Sequence, residues 1–329
     1  MKPVGVGLVG TGMWAGRLAA AVRRTPSLEL VSVYGRDEAR RDDFAGRFET
    51  AAAASFEAAI GDDAAEGVLL VTPNDVHAEQ ALACAEHGRH VFVEKPIADT
   101  VEAGRAMAAA FEDAGLVLLV GHAFRRLGAA RRVEEFLAAG DLGRVVLAEA
   151  NFSLSGTLTP AAWRWYRDRA PGGPLLQLGI HHADTLSHWL GPVAESRGLF
   201  GRLVTEAEID DVGVLSLRFE RGALGSLTGS YVSPKTFSVR LYGTEGVLDY
   251  RTDMAVWPEA ERVDEATRLT LTARDGVRDL DFEQRDMLVE ELDEFARAVR
   301  GEAVPETGAA EGIAALRVVL EAVPAEERT

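Results

Sequence analysis

Short apolar runs alternate with longer segments rich in alanine and charged residues through the first third of the chain. Five of these runs have the length and composition of buried strands: 4–9, 29–34, 68–71, 90–93 and 116–120. Helical patterns lie between them: 13–24, 37–48, 75–87 and 99–114. Strands that alternate with helices pair in parallel, and right-handed crossovers place helices on both faces of the sheet. The pattern predicts an α/β domain with a doubly wound parallel sheet over residues 1–121.

The pattern changes after Gly121. Extended segments separated by turn residues occupy about 194–273. Hairpin-linked strands of this kind predict a mostly antiparallel sheet that partly faces a helical layer. Helices are predicted at 124–139, 174–190, 286–300 and 308–322. Residues 122–329 are therefore predicted to form a second domain of the α+β class.

Size and charge narrow the classes of function. The chain has 329 residues, more than one core usually covers, which agrees with two domains. Acidic residues (52) outnumber basic ones (35), and the net charge of −17 repels nucleic acids and anionic membrane surfaces. No apolar run approaches the roughly 20 residues that span a bilayer, and the glycines near the start argue against a secretory leader. The single cysteine, Cys84, cannot form an internal disulfide, so we expect a cytoplasmic protein.

The segment "VGVGLVGTGMWAG" places a glycine-rich turn between the first strand and the first helix. Gly10 allows the tight turn, Gly12 lets the backbone approach a pyrophosphate, and Ala15 permits close helix packing. Free amides at the helix N-terminus then receive the anion. The alternative is a turn that needs glycine only for its backbone geometry. We predict a dinucleotide-binding turn that comprises Gly10, Thr11, Gly12, Met13, Trp14 and Ala15.

The end of the second strand, "LELVSVYGRDEAR", bears on which dinucleotide binds. NAD sites place a carboxylate at this strand tip, whereas NADP sites offer space and an arginine. The tip carries Gly35 and Arg36, while Asp37 and Glu38 suit the first turn of the next helix. Arg36, with Arg40 one turn later, could bind a 2′-phosphate. The alternative is that Arg36 is an ordinary surface charge. The sequence favours NADP(H), with NAD possible.

Two further strand ends belong to the same edge of the predicted sheet, where ligands of such sheets bind. In "VLLVTPNDVHAEQA", Thr72, Pro73 and Asn74 are candidate cofactor contacts, although Asn74 could equally cap the following helix. His77 is also a candidate contact. In "HVFVEKP", Glu94, Lys95 and Pro96 end the strand, and Lys95 is predicted to face the cofactor and transfer a proton. The alternative is a surface lysine.

These motifs, together with "GGPLLQLGIHHAD", "LYGTEGVLDY" and "TGAAEGIAALRVV", resemble those of the glucose-fructose oxidoreductase, inositol dehydrogenase and rhizopine-catabolism (Gfo/Idh/MocA) family. The resemblance spans nearly the whole chain, in order. It implies an N-terminal Rossmann domain and a C-terminal domain with a large open sheet. In the family that sheet commonly mediates dimer or tetramer contacts, and the substrate lies between it and the nicotinamide.

The resemblance also implies roles for individual residues. Lys95 matches the active-site lysine of the E-K-P motif, and Pro96 matches a proline that often follows a cis peptide. His181 matches the histidine of the G-x-H-x-x-D motif, which lines the substrate pocket and often moves a proton. Gly179 and Asp184 are in register with that motif.

One position departs from the family. Many of these dehydrogenases have an aspartate four residues before the histidine, whereas this chain has Gln177. A glutamine amide can hydrogen-bond a substrate hydroxyl but cannot accept a proton at neutral pH. Acid and base duties would then fall on Lys95, His181 or both.

Other polar and aromatic residues near these motifs have open alternatives. His182 is either a second wall of the substrate pocket or a structural support. Trp163, in "WRWYRDRAPGG", is either a sugar-stacking residue or a core anchor. Arg125, in "GHAFRR", is a candidate substrate contact by resemblance to relatives. The spacing of His181, Asp184 and His188 does not match a metal site, so no metal is predicted.

The predicted reaction is NAD(P)-dependent hydride transfer between a nicotinamide and a secondary alcohol or ketone of a sugar, cyclitol or related polyol. The expected partners are that small molecule and further copies of the chain, as a homodimer or homotetramer built through the C-terminal sheet. An alternative is a dinucleotide-binding sensor or regulatory protein without turnover, which the glutamine at position 177 motivates. Another is glycoside cleavage through transient oxidation, whose additional signature is not seen in the sequence.

Overall fold

The computed structural model describes residues 2–156 and 158–324. Within them the chain divides into two compact units. The first unit contains residues up to His122 together with 288–313, and the second contains 123–287 and the chain from Ala314 onward. The first unit therefore takes in a late segment that the predicted boundaries of 1–121 and 122–329 assign to the second domain. The cofactor and substrate roles of those predicted domains remain predictions.

A six-stranded parallel sheet forms the centre of the first unit. Its strands are β1 (Val4–Val9), β2 (Leu28–Tyr34), β3 (Ala51–Ala52), β4 (Gly67–Leu70), β5 (His90–Glu94) and β6 (Leu118–Gly121). The strand order is β3-β2-β1-β4-β5-β6, so the chain reverses direction across the sheet next to β1. Every residue of β1 and of β4 is buried, which explains their continuous apolar sequences. The predicted doubly wound parallel sheet is confirmed.

The connections between these strands are helical. Their helices are α1 (Met13–Val22), α2 (Glu38–Phe48), α3 (Phe56–Ile60), α4 (His77–Glu86) and α5 (Val101–Ala114). Several of these helices begin at a residue whose side chain caps the first turn. At the beginning of α5, Thr100 Oγ1 accepts the amide hydrogen of Ala103 at 3.1 Å. That helix ends at Gly115, whose φ of 63° is the left-handed conformation that glycine accommodates.

An eight-stranded sheet forms the second unit, in the order β14-β13-β12-β11-β7-β10-β9-β8. The strands are β7 (Val145–Ser153), β8 (Val193–Gly201), β9 (Val212–Phe219), β10 (Leu224–Ser230), β11 (Thr236–Gly243), β12 (Gly246–Thr252), β13 (Thr267–Ala273) and β14 (Gly276–Leu280). Neighbours pair antiparallel except β7 and β10, which pair in parallel. Buried and exposed residues alternate along β9, so one face of the sheet is covered. The predicted mostly antiparallel sheet is confirmed.

Helices cover the inner face of this sheet. The second unit contains α6 (Gly128–Ala139) and α7 (Ile180–Leu190), and a π-helical turn (Leu175–Gly179) leads directly into α7. Beneath α7, aromatic rings from several segments pack together: Phe124 lies 4.9 Å from Phe237 and 5.7 Å from Trp257, between ring centroids. The C-terminal helices are α8 (Met287–Val299) and α9 (Ala309–Leu320). Across 2–156 and 158–324, no helix has the length and apolarity that a bilayer crossing requires.

Candidate active site

The glycine-rich turn between β1 and α1 leaves room for a ligand. Gly10 has a φ of 120°, and a Cβ atom there would lie 2.3 Å from the carbonyl oxygen of Val71, so only glycine fits. A Cβ on Gly12 would meet nothing within 4 Å, so the space above this residue is open. No side chain caps α1, and its first turn has no acidic residue. The first amides of α1 are thus available to an anion.

The side chain of Trp14 connects this turn to the end of β5. Its indole N–H donates a hydrogen bond to the carboxylate of Glu94, which is buried. The backbone amide of Lys95 also donates to Glu94 Oε2, at 3.3 Å. Burial raises the pKa of Glu94 to about 7, and the nearby Lys95 ammonium and these hydrogen bonds oppose the rise. Glu94 therefore anchors the turn as well as the residue that follows it.

Lys95 comes directly after β5 and is half-buried. The Lys95–Pro96 peptide is cis, as the family resemblance predicted. Pro96 itself is buried, and its carbonyl oxygen lies 2.9 Å from His77 Nδ1. The second ring nitrogen of His77, Nε2, lies 2.9 Å from the carbonyl oxygen of Thr72. The imidazole thus bridges the loop after β4 and the loop after β5.

His77 has no exposed surface, and both ring nitrogens face backbone oxygens. Burial lowers the pKa of His77, and the two carbonyl oxygens oppose this shift. A positioning role fits this geometry better than a direct contact with a cofactor, which stays a prediction.

Asn74 lies in the loop between β4 and α4. The residue before α4 is Val76, and no side chain caps that helix, so the capping alternative for Asn74 is wrong. Asn74 is buried, and its Nδ2 has no hydrogen-bond partner among the residues that the structure describes. A buried amide without a partner costs stability, which a bound ligand could offset. The side chain of Thr72 is engaged differently, because its hydroxyl donates to Gln80 Oε1 at 2.7 Å.

The tip of β2 carries no carboxylate. Gly35 is buried against Thr11: a Cβ on this glycine would lie 2.7 Å from Thr11 Cγ2. Arg36 is exposed. Asp37 is the N-cap of α2 and accepts the amide hydrogen of Arg40 at 3.0 Å, as its expected place in the first turn requires. The tip therefore offers an accessible cation and a carboxylate that already has a partner.

In the second unit, His181 lies in the first turn of α7 against an aromatic wall. Its ring centroid is 4.4 Å from that of Phe124 and 5.9 Å from that of Phe152. Only 4% of His181 is exposed. Gln177 lies in the π-helical turn and is also buried. Extra residues in a π turn change the angular offset between these two side chains from that of a regular helix.

His182 faces a different environment from its neighbour. Its Nε2 lies 3.1 Å from the carbonyl oxygen of Asn151, and its ring packs 4.6 Å from the centroid of Phe237. Burial lowers the pKa of His182 to about 4, so the ring is neutral at physiological pH. Of the two alternatives for His182, this environment favours structural support.

Arg125 makes a buried, bidentate ion pair with Asp184 of α7. Arg125 Nε and Nη2 donate to the two carboxylate oxygens at 2.7 and 2.6 Å. Nη1 lies 3.2 Å from His188 Nδ1. This arrangement favours a structural role for Asp184 and Arg125, and the predicted substrate contact of Arg125 stays a prediction. Within the described residues, no group of three or more histidine, cysteine, aspartate or glutamate side chains is placed to hold a metal.

One residue near Gln177 was not singled out from the sequence. Arg164 Nε donates to Gln177 Oε1 at 3.3 Å, and the guanidinium carbon lies 4.3 Å from the centroid of the Trp163 ring. The segment Trp163–Trp165 contains no buried residue, which disfavours the core-anchor alternative for Trp163. The alternation of Trp and Arg in "WRWYRDR" was a usable signal, because stacked arginines are common at binding sites.

The residues of the first unit fit a dinucleotide. The open space above Gly12, the uncapped first turn of α1 and the partnerless Nδ2 of Asn74 all lie at the carboxyl ends of neighbouring strands β1 and β4. In sheets with this strand order, that edge receives the nucleotide. Met13 is 73% exposed beside the turn, which leaves an apolar surface for a ligand.

Comparisons with known families agree with this architecture. A family described as "Oxidoreductase family, NAD-binding Rossmann fold" matches residues 4–122. A second, described as "GFO/IDH/MocA C-terminal domain", matches residues 130–249.

Individual relatives span nearly the whole chain. The 1,5-anhydro-D-fructose reductase of Ensifer adhaerens is 28% identical and covers 97% of this chain and 95% of its own. The NADP(+) D-xylose 1-dehydrogenase 2 of Haloferax volcanii is also 28% identical, covering 95% of this chain and 94% of its own. Among solved structures, an oxidoreductase from Desulfitobacterium hafniense has a TM-score of 0.93 and 36% identity over 97% of this chain and 94% of its own. Levoglucosan dehydrogenase with NADH has a TM-score of 0.87 at 21% identity, covering 99% of this chain and 97% of its own, which shows the shared fold.

Proposed function

Since this chain belongs to the Gfo/Idh/MocA family of oxidoreductases, we propose that it transfers a hydride between a nicotinamide dinucleotide and a secondary alcohol or ketone of a sugar, cyclitol or related polyol. The named relatives are sugar reductases and dehydrogenases. The observation that carries the proposal is the open glycine-rich turn, at the sheet edge that also holds the loops of Asn74 and Lys95. The relatives give no support to the alternative of a sensor without turnover.

The first unit would hold the cofactor through its strand ends. The amides at the start of α1 would bind the pyrophosphate, and Asn74 Nδ2 would donate to the bound dinucleotide. A bound nicotinamide supplies the hydride acceptor or donor. Arg36 and Arg40, both exposed, would bind a 2′-phosphate, so we propose a preference for NADP(H) over NAD(H).

Lys95 and His181 are proposed as the groups that move the hydroxyl proton. Gln177 cannot serve as a base, which leaves an ammonium and an imidazole as the proton-transferring groups of the predicted site. Glu94 and His77 would hold the Lys95 backbone in place through the bonds that flank it. The aromatic wall of Phe124 and Phe152 would fix the orientation of the His181 ring.

We further propose that the chain assembles as a dimer or tetramer through the outer face of the second sheet. That face carries the exposed apolar side chains of Val214 and Leu224 on adjacent strands, among polar residues. Light scattering coupled to gel filtration measures the subunit number, and a monomeric mass at micromolar concentration would contradict the assembly.

The experiment that tests the reaction incubates the purified protein with NADP+ or NAD+ and a panel of sugars, inositols and sugar acids. The absorbance of reduced nicotinamide is followed, and the reverse reaction is run with NADPH and ketoses. Tight dinucleotide binding without oxidation or reduction of any compound would contradict the proposed activity.

A further inference from the structure

Arg164 is a cation whose contacts in the described part of the chain are all with neutral groups. Its Nε donates to the amide oxygen of Gln177 at 3.3 Å, and its guanidinium stacks at 4.3 Å from the centroid of Trp163. The phenol of Tyr231 is the ionisable group that interacts with it electrostatically. In the described part of the chain, no carboxylate lies within ion-pair distance of Arg164. The positive charge is therefore not neutralised by the protein.

Tyr231 does not supply a negative charge. It is buried, with 7% exposed, and its hydroxyl has no hydrogen-bond partner among the described residues. Burial raises the pKa of Tyr231, and the Arg164 charge opposes the rise only in part, so the phenol stays neutral. Tyr231 and Gln177 thus surround the guanidinium with dipoles and leave its charge uncompensated.

Arg164 combines an exposed residue with a crowded head group. The Arg164 residue is exposed, whereas the atoms packed near its head group disfavour the charged form and lower its pKa. An arginine remains protonated at physiological pH despite such a shift. A partly desolvated cation without a counter-ion is unfavourable, and an anion that binds beside it restores the lost stabilisation.

Two other arginines of the second unit direct more than one guanidinium nitrogen to a protein acceptor. Arg167 Nε and Nη2 donate to the carbonyl oxygen of Glu208 at 3.1 and 2.9 Å. Arg125 is paired with Asp184 inside the unit. Arg164 instead bonds Gln177 through Nε, and its Nη1 and Nη2 have no hydrogen-bond partner among the described residues. The two nitrogens form the fork that binds carboxylate or phosphate oxygens.

We propose that Arg164 recognises an anionic group of the substrate, so that the physiological substrate is a hydroxylated acid, either a sugar carboxylate or a sugar phosphate, and not a neutral sugar. This inference rests on the proposed function, because Gln177 and His181 belong to the predicted substrate site. Gln177 has a specific part in it. A carboxylate at this position would neutralise Arg164, whereas the amide orients the guanidinium and leaves its charge for the ligand.

The net charge of −17 does not prevent such binding. Charges separated by more than about 8 Å are largely screened at physiological ionic strength. Direct contact with a guanidinium is screened much less, so the local cation decides the affinity. The long-range charge would mainly slow the association of anions.

The test measures ligand binding to the NADP+-loaded protein by calorimetry, with D-glucuronate, D-gluconate, D-glucose 6-phosphate and neutral D-glucose as probes. We expect at least one anion to bind about tenfold or more tightly than glucose, with affinity that weakens as salt is added. The carboxylates and the phosphate are separate arms, so the result also identifies the anionic group. Equal affinity for glucose and every anion would overturn the proposal.

Three variants test whether the positive charge of Arg164, and not another effect of substitution, causes the preference for anions. R164Q should abolish the preference for the anion, and R164K should retain part of it through charge alone. Q177D should also abolish the preference, because the new carboxylate neutralises the guanidinium. The control R274Q removes one positive charge from the exposed β13–β14 turn, where Arg274 pairs with Glu245 at 3.6 Å, and should leave the preference unchanged. An anion preference that survives both R164Q and Q177D would overturn the proposal.

The proposal and the proposed reaction fail in different ways. Turnover of neutral sugars, with no preferred binding of any anion, would leave the oxidoreductase reaction standing and reject the role of Arg164. Binding of an anion that depends on Arg164, without turnover of any compound, would support the recognition site and reject the reaction.

Discussion

The imidazole of His77 lies 2.9 Å from the carbonyl oxygen of Pro96, and so connects helix α4 to the loop that follows β5. Its other nitrogen lies at the same distance from the carbonyl oxygen of Thr72. A neutral imidazole has one N–H, so it donates to one of these two oxygens at a time. His77 therefore fixes the spacing of two loops at the predicted cofactor site without facing the site itself.

Replacing His77 with Ala should remove the hydrogen bond that the ring donates to one of the two carbonyl oxygens, of Pro96 or of Thr72. We expect a loss of about 1–3 kcal/mol in the free energy of unfolding and a weaker affinity for the dinucleotide. Urea unfolding and fluorescence titration with NADPH measure the two effects. The control is His87→Ala at the end of the same helix, where the ring is exposed and lies 2.9 Å from the carbonyl oxygen of Ala83. Equal effects of the two substitutions would contradict the bridging role.

Glu94 should make stability depend on pH. Its pKa is raised from 4.5 to about 7, so the folded protein holds a proton that the unfolded chain has lost between these values. The contribution of Glu94 to stability therefore falls as pH rises through this window, by up to about 3 kcal/mol. Glu94→Gln is neutral throughout and lacks this dependence.

The measurement is the difference in free energy of unfolding between the wild-type protein and Glu94→Gln, from urea titrations at about pH 5 and about pH 8. We expect the wild-type protein to lose stability relative to the variant at the higher pH. A difference that stays constant with pH would show that the carboxyl titrates in its ordinary range.

Lys95→Ala should reduce kcat by about 10²–10⁴-fold, because the proposed proton transfer loses its side chain. The dissociation constant for NADP+ should change much less, since the proposed pyrophosphate site is formed by the amides of α1 and not by Lys95. Steady-state kinetics and calorimetric titration report these two quantities. Lys2→Ala, at an exposed position, is the matched control. Unchanged turnover in Lys95→Ala would remove this lysine from the mechanism.

Arg36→Ala should raise the KM for NADP+ by about tenfold or more and leave the KM for NAD+ nearly unchanged, because only the former has a 2′-phosphate. The ratio of kcat/KM for the two dinucleotides gives the result directly. Arg23→Ala, an exposed arginine that pairs with Glu49 after α2, controls for the loss of a positive charge. If both variants shift the ratio of kcat/KM values equally, Arg36 does not bind the 2′-phosphate of NADP+.

Asp184→Asn should destabilise the second unit by about 3–5 kcal/mol, because it leaves the buried guanidinium of Arg125 without its charged partner. Chemical unfolding followed by circular dichroism measures the loss. Asp279→Asn breaks a comparable pair with Arg268 on the surface of β13 and β14, and should have little effect. Similar losses in both variants would mean that burial does not strengthen the pair.

Much of the first unit was predictable because its strands are buried on both faces. The apolar run of β1 and the glycine-rich turn after it specify strand, turn and helix within a few residues. Strand β14 was not predicted: most of its five residues are exposed, so no buried alternation marks it. The grouping of 288–313 with the first unit depends on long-range packing, such as the edge-on contact of Phe92 with Phe295, centroids 6.2 Å apart.

In the candidate site as well, residues placed by local sequence were predictable, and contacts between residues distant in sequence were not. Gly10 and Asp37 lie at strand or helix ends, where position alone indicates a tight turn and a place in the first helical turn, whereas the predicted role of Lys95 depended on the family resemblance. The partners of Arg125 and Arg164 lie far from them in sequence or across a π-helical turn, so neither interaction is visible in residue spacing. The bridge made by His77 was likewise hidden, because its two acceptors are backbone oxygens that carry no sequence signature.

The parallel pairing of β7 with β10 has a consequence for how the protein is made. The residues between these strands include the Arg164 loop, Gln177 and His181, followed by β8 and β9. During synthesis on the ribosome, β7 cannot pair with β10 until all the residues between the two strands have been synthesised. Closing so long a loop is slow, so the residues proposed to bind the substrate should be among the last to reach their final arrangement in a nascent chain.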